Sequence, residues 1–284
     1  MIPAAYYNEI DPYAAQWLRN LIAAGHIAPG EVDERSIEDV TPDDLRGFTQ
    51  CHFFAGIGAW SHSLRLAGWP DDKPVWTGSC PCQPFSAAGK GDGFADERYL
   101  WPHFFHLISE CQPQHVFGEQ VAAGNANAWF DLVQSDLEGV GYAFGLVPFT
   151  SAGIGAPHIR ERAYWVGDSN LSRLERHCGH DSAAGREGQA GPASTPGVHM
   201  RPLEVNGFWR DADWLLCRDG KWRPVEPGTF PLVDGAAARM GRVQPDVARM
   251  ASRNRTGRLK GYGNAINAQA AAEFIRAYMG VANG

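Results

Sequence analysis

The sequence contains no apolar run of the ~18 residues that a membrane-crossing helix needs, no secretory leader and no internal repeat. Its six cysteines, Cys51, Cys80, Cys82, Cys111, Cys178 and Cys217, include no Cys-x-x-Cys pair and no paired zinc spacing. A zinc module and a disulfide scaffold are thereby excluded, and a reducing cytoplasm is the expected compartment. The histidines at 103 and 106, and those at 177 and 180 beside Cys178, are too loosely scattered to predict a metal. Overall positive charge is missing as well. The formal net charge is −7, which at first argues against a nucleic-acid partner, because phosphate neutralisation supplies most non-specific affinity.

The distribution of that charge changes the inference. Residues 1–150 carry seven Lys/Arg against nineteen Asp/Glu, whereas residues 151–262 carry seventeen against twelve. A dense basic group, Arg249, Arg253, Arg255, Arg258 and Lys260, sits late in the chain and fits a lobe that touches a phosphate backbone. A chain of 284 residues buries roughly three quarters of its unfolded surface, enough for one large domain with a smaller lobe.

Strand-like and helix-like segments alternate. Tyr6 to Asp11 reads as a short strand ending in acids, with Asp11 as cap and Pro12 in the first turn of a helix. A second acidic strand end lies at Glu31-Val32-Asp33-Glu34, and Thr41-Pro42-Asp43-Asp44-Leu45 reads as a helix start. Gln50 to Phe54 is a third strand, leading through Ala55-Gly56-Ile57-Gly58 into a helix. Val75 to Gly78 is a fourth. Helical spacing follows at Leu100, Phe104, Leu107 and Ile108 and again at Trp129, Leu132, Val133 and Leu137. Buried strands are expected at His115 to Gly118, Tyr142 to Val147 and Ala163 to Val166. This alternation predicts an α/β fold, a largely parallel sheet with helices on both faces. Residues 178–198, rich in Gly, Ala and Ser, read as a flexible surface segment. The stretches around Trp209, Trp214 and Trp222 suggest a small antiparallel unit, and Ile266 to Tyr278 an Ala-rich helix that packs back on the sheet.

Several segments could carry chemistry. Gly78-Ser79-Cys80-Pro81-Cys82-Gln83 ends a strand and turns through a proline to display a cysteine. A lone cysteine is more often an inert buried side chain, and a thiol with a pKa of ~8.5 needs an exposed, electropositive setting to act as a nucleophile. Phe54 to Gly58 is a strand–glycine–helix turn, which by itself need only be a tight turn. A nucleotide-type site also requires an acid on a neighbouring strand end to hold ribose hydroxyls. Between Gly58 and Cys82 there is room for one helix and one strand only, leaving either Asp71 or Asp72 or the upstream acids Glu9 and Asp33. Glu119 ends the buried strand at Phe117-Gly118. Arg160 and Arg162, two apart, fall on one face of another strand.

These segments resemble the DNA cytosine-5 methyltransferases: Pro81-Cys82-Gln83 their Pro-Cys-Gln, Phe54 to Gly58 their Phe-x-Gly-x-Gly, and Glu119-Gln120-Val121 their Glu-Asn-Val with Gln for Asn. His158-Ile159-Arg160-Glu161-Arg162 is similar to their Gln-x-Arg-x-Arg with His for Gln, and Gly263-Asn264 to their last motif. The resemblance implies a Rossmann-like S-adenosylmethionine-dependent methyltransferase sheet with a small target-recognition lobe. It implies a catalytic and cofactor domain over 1–166, completed by 261–284, and the lobe over 167–260. S-adenosylmethionine would be held by Phe54, Ala55, Gly56, Ile57, Gly58, Glu9, Ile10, Asp33, Pro81, Asn264 and Ala265. Glu9 would take the ribose, with Ile10 in place of the aromatic residue common there, and Asp33 the adenine amine. The two acidic units would then precede the glycine turn instead of following it. Cys82 would attack C6 of a flipped cytosine, Glu119 would bind its N3 edge, Arg162 its carbonyl or the thiolate, and Arg160 its phosphate. Ser86, Arg98, Arg253, Arg255 and Arg258 would contact DNA, with Arg98 in a glycine-rich loop that closes over the base. The implied partner is double-stranded DNA, met by a monomer without an obligate protein partner, in a bacterium or phage. Action on tRNA, a modified donor group and DNA binding without turnover are the alternatives.

Overall fold

A computed structural model describes residues 5–81, 100–121, 126–151, 161–170 and 265–283, together with the backbone of 213–216 and 222–225. Strand β1 (Ala5–Asn8) is buried along its whole length and passes into helix α1 (Pro12–Ala23). Asp11 caps that helix, its Oδ1 accepting from the amides of Tyr13 and Ala14 at 2.9 and 3.3 Å, with Pro12 in the first turn where no amide is needed. Strand β2 (Gly30–Asp33) returns parallel to β1, and the chain then crosses to the opposite side of β1 to form β3 (Gln50–Phe53).

The crossing segment is not a helix. Where Thr41-Pro42 predicted a helix start, there are two single 3₁₀ turns, Ile37–Asp39 and Pro42–Leu45. Asp44 Oδ2 accepts from the Thr41 amide and hydroxyl at 2.9 and 2.8 Å, closing the second turn on itself. Arg46 is already extended at φ −64°, ψ 125°, so the helix stops after one turn. Ile37, Val40 and Leu45 are buried against Tyr6, Cys51 and Trp76, which fixes the crossing over one face of the sheet.

The remaining elements are α2 (Ala59–Ala67), β4 (Val75–Gly78), α3 (Trp101–Cys111), β5 (His115–Val121), α4 (Ala126–Gly139), β6 (Ala143–Thr150), β7 (Glu161–Asp168) and α5 (Ala268–Asn283). The seven strands lie in the order β2-β1-β3-β4-β5-β7-β6. The sheet is largely parallel, as expected, with one exception. β7 runs antiparallel to both β5 and β6, pairing with β6 in register from Ala143↔Asp168 to Thr150↔Glu161. This is a mixed α/β sheet with helices on both faces. Separately, β8 (Asp213–Leu216) and β9 (Trp222–Val225) form an antiparallel pair, as expected for that stretch.

Alternation along the strands sends side chains to two helical layers. Tyr6, Cys51, Phe53, Trp76, Val116 and Trp165 meet α3, α4 and the two 3₁₀ turns. Phe117, Tyr164 and Val166 meet α2 and α5 through Trp60, Leu64, Phe274 and Ile275. α5 is capped by Asn267, whose Oδ1 accepts from the amides of Gln269 and Ala270 at 3.1 and 3.2 Å. At its other end Tyr278 donates to Asp168 Oδ2 at 2.5 Å and lies 2.8 Å from His115 Nδ1, joining the last helix to β5 and β7.

His52, in the middle of β3, is buried, stacks on Tyr7 at 4.9 Å and sits 2.8 Å from Thr77 Oγ1. Burial pushes its imidazole pKa down from 6.5 to about 3. The unfolded chain therefore takes up a proton below pH 6.5 that the folded chain refuses until about pH 3. The stability this neutral histidine contributes is present above pH 6.5 and is lost as pH falls toward 3, by up to about 1.4 kcal/mol per pH unit. Urea titrations at pH 7 and 4.5 should show this loss, and His52→Gln should flatten it.

Candidate active site

The parallel strands all point their C-terminal ends at one edge of the sheet, so the segments following β2, β1, β3, β4 and β5 line up side by side. Open α/β sheets bind ligands at such an edge. Of the alternatives for the ribose acid, Asp71 lies at the other end of the sheet, in the turn before β4, where it pairs with Arg65 at 2.6 Å. Glu9 lies on the expected edge. Its Oε1 accepts from the Asp11 amide at 2.8 Å and its Oε2 from the Gly56 amide at 2.7 Å. Next to it, Ile10 is 65% exposed.

The glycine turn after β3 is held by the Ala55 amide donating to Asn8 O at 3.0 Å and the Gly58 amide to Ala55 O at 2.9 Å. Gly58, at φ +77°, begins α2, and a Cβ there would stand 3.1 Å from both Ile27 and Leu18, so glycine is required on grounds of conformation and space. Gly56, at φ +56°, faces open space apart from Phe54 O at 4.0 Å. Ile57 is half-buried between them. Phe54 itself is left-handed at φ +52°, a conformation strained for a bulky residue, and its ring meets Phe104 edge-on at 6.2 Å.

Asp33 ends β2 beside β1, as expected, but its carboxylate is already engaged. Arg35 Nη2 donates to Oδ2 at 2.6 Å, the Arg35 amide to Oδ1 at 2.9 Å and the Tyr6 hydroxyl to Oδ2 at 2.7 Å. Burial disfavours the charge, the donated hydrogen bonds outweigh it, and the carboxyl titrates below its usual range. The same burial, reinforced by Asp33, raises the Tyr6 phenol. A cavity of about 340 Å³ opens here between Tyr6, Asp33, Arg35, Asp44 and Phe48.

After β4, Ser79 Oγ accepts from Trp60 Nε1 at 3.0 Å, and Cys80 O accepts from Gln120 Nε2 at 3.1 Å. Cys80 is 6% exposed and burial drives its thiol well above the ordinary range, so it is a packing residue. Pro81 is exposed. On β5, Glu119 Oε1 pairs with Arg162 Nε of β7 at 2.7 Å, a diagonal contact across the antiparallel pair. The Glu119 side chain is 9% exposed, and Arg162 also donates to Glu161 O at 2.7 Å.

The described residues therefore bring together Glu9, Ile10, Asp33, Phe54, Ala55, Gly56, Ile57, Gly58, Pro81, Glu119 and Arg162. Ala265 is half-buried just before α5. Cys82, Ser86, Arg98, Arg160, Asn264, Arg253, Arg255 and Arg258 lie outside the described residues. Three contributors escaped sequence reasoning: Arg35, Trp60 and Ser79. Only the two-residue separation of Asp33 and Arg35 on a strand end hinted at any of them.

Residues 69–184 match the C-5 cytosine-specific DNA methylase family. The type II methyltransferase M.HaeII of Haemophilus aegyptius is 28% identical over 160 residues, 55% of this chain and 42% of that protein. M.NgoBI of Neisseria gonorrhoeae is 33% identical over 113 residues, 38% of this chain and 32% of that protein. The chain thus spans less than half the length of either relative. Among solved structures, Dnmt2 of Spodoptera frugiperda aligns with a TM-score of 0.39 and 16% identity, over 59% of this chain and 43% of that one. The S. pombe Dnmt2 methyltransferase aligns with a TM-score of 0.38 and 17% identity, over 57% and 41%.

Glu9→Ala strands two backbone amides at once and should lower the unfolding free energy by about 1–3 kcal/mol in urea titrations. Glu9→Gln, which keeps one acceptor oxygen, should lose less.

Proposed function

We propose that the chain is a C-5 cytosine-specific DNA methylase, the family whose model matches residues 69–184, and that it transfers a methyl group from S-adenosylmethionine to C5 of cytosine in double-stranded DNA. The observation that carries this reading is the row of strand ends: the Glu9–Gly56 contact, the segment entering Pro81-Cys82 and the Glu119–Arg162 pair share one sheet edge. The residues there fit the donor. Gly56 leaves room for a ligand to approach the backbone, Glu9 offers carboxylate oxygens toward ribose hydroxyls, and exposed Ile10 offers apolar surface to the adenine. Asp33, fixed by Arg35 and Tyr6 at the end of β2, would meet the adenine amine beside the cavity there. Asn264 and Ala265 would close the methionine end. When bound, S-adenosylmethionine supplies an electrophilic methyl on a sulfonium.

The protein's own steps begin with extrusion of the target cytosine from the duplex, at a cost of a few kcal/mol. The Cys82 thiolate adds to C6 of that base, and the electron pair displaced toward C5 makes that carbon nucleophilic. Glu119 hydrogen-bonds N3 and the exocyclic amine, countering the charge that develops in the ring. Arg162, already paired with Glu119, is set to bind the base carbonyl, and Arg160 the phosphate of the flipped nucleotide. After transfer, loss of the C5 proton and elimination of Cys82 restore the aromatic base and the free thiol. Residues 167–260, with Arg253, Arg255 and Arg258, would read and hold the DNA, Ser86 and Arg98 would line the closing loop, and 1–166 with 261–284 would carry the chemistry. The chain would work as a monomer.

Bisulfite sequencing of DNA from cells expressing the chain should show protected cytosines in one sequence context, and Cys82→Ala should abolish them. Protection that persists in Cys82→Ala, or methyl transfer to tRNA in place of DNA, would sink this reading.

A further inference from the structure

Two side chains that no catalytic step uses grip the segment leading to Cys82, one from each face of the sheet. Trp60 belongs to the α2 layer. Its indole is 4% exposed, lies over Phe117 at 6.3 Å and 17° and meets Tyr164 edge-on at 6.2 Å. Its Nε1 donates to Ser79 Oγ at 3.0 Å. Gln120 reaches from β5: its Nε2 donates to Cys80 O at 3.1 Å while its Oε1 accepts from the Val121 amide at 2.9 Å. Along β5, Gln120 and Glu119 point to opposite faces, so the strand that presents Glu119 to the base holds Cys80 with the next side chain.

Trp60 is also placed to report on the donor. It is the second residue of α2, two positions after Gly58, whose left-handed conformation starts the helix at the end of the glycine turn. A shift of that turn moves the first turn of α2, and with it the indole that holds Ser79. We infer that Trp60 is a positioning residue that couples occupancy of the glycine turn to the placement of the Ser79-Cys80-Pro81 segment that precedes Cys82, with Gln120 as the fixed strut on the other side. The inference rests on Cys82 being the nucleophile. Its chemical basis is narrow: one indole N–H and one hydroxyl.

The test uses the full chain with S-adenosylhomocysteine as probe. Trp60→Phe keeps an aromatic ring against Phe117 and Tyr164 and removes only the donor; Ser79→Ala removes the acceptor. In the unsubstituted chain, S-adenosylhomocysteine should slow hydrogen exchange at the amides of Cys80, Cys82 and Gln83. In either variant that slowing should vanish, with the probe's dissociation constant changed by less than about twofold. The rate of covalent adduct formation on 5-fluorocytosine DNA should fall about 3- to 10-fold, as expected for loss of one hydrogen bond. The Trp60→Phe/Ser79→Ala pair should be no worse than either single change, because both remove the same contact. Slowing retained in Trp60→Phe, an unchanged adduct rate, or effects that multiply in the double variant would overturn the coupling. Failure of the proposed chemistry is separately visible: the unsubstituted chain would form no adduct while its exchange still responded to the probe through Trp60.

Discussion

One carboxylate joins two pieces of chain that sequence order keeps apart. Glu9 accepts from Asp11 in its own turn and from Gly56, 47 residues on, so the same side chain closes the start of α1 and holds the glycine turn before α2. The Ala55 amide adds a second tie to Asn8 O. Both contacts depend on β1 lying directly beside β3, which the chain achieves only by carrying residues 34–49 over the sheet from β2. With these ends in place, the acids, the glycine turn and the cysteine segment stand in a row.

That row divides cleanly by environment. Cys80 and Pro81 are neighbours, yet Cys80 is enclosed and its thiol raised by burial, while Pro81 is exposed. The charged groups are paired before any ligand arrives: Asp33 with Arg35, and Glu119 with Arg162. Such pairing holds long side chains in one geometry and removes much of the ordering entropy that binding would otherwise cost. It also makes the two acids unequal. Asp33 is surrounded by donors and held charged, whereas Glu119 shares its arginine with the strand opposite.

Much of this was legible from residue order. The Asp11-Pro12 helix start, the Gly58 turn and the acidic strand ends each rest on local rules, and each formed as those rules require. The shortness of the stretch between Gly58 and Cys82 pointed to the acids upstream, and the strand order sets the ends of β1 and β2, with Glu9 and Asp33, beside the glycine turn. What local rules missed depends on neighbours distant in sequence. Thr41-Pro42 begins a turn like any helix start, but the buried side chains of Ile37, Val40 and Leu45 commit the segment to a crossing. The direction of β7 could not be read from its apolar run, since an antiparallel strand and a parallel strand buried on both faces read alike. The Trp60–Ser79 contact is a side-chain meeting between a helix and a strand end 19 residues on, with no periodic signature.

The crossing has one more result. Ala5 and Gln50, the first residues of β1 and β3, are register partners, so the chain starts and leaves the β1-α1-β2 unit at the same corner of the sheet. Residues 5–49 therefore form a closed loop in space. A unit whose two ends meet can be cut from one place in a gene and joined at another without altering the surface it builds, and the β1-α1-β2 half of this sheet has the geometry of a portable part.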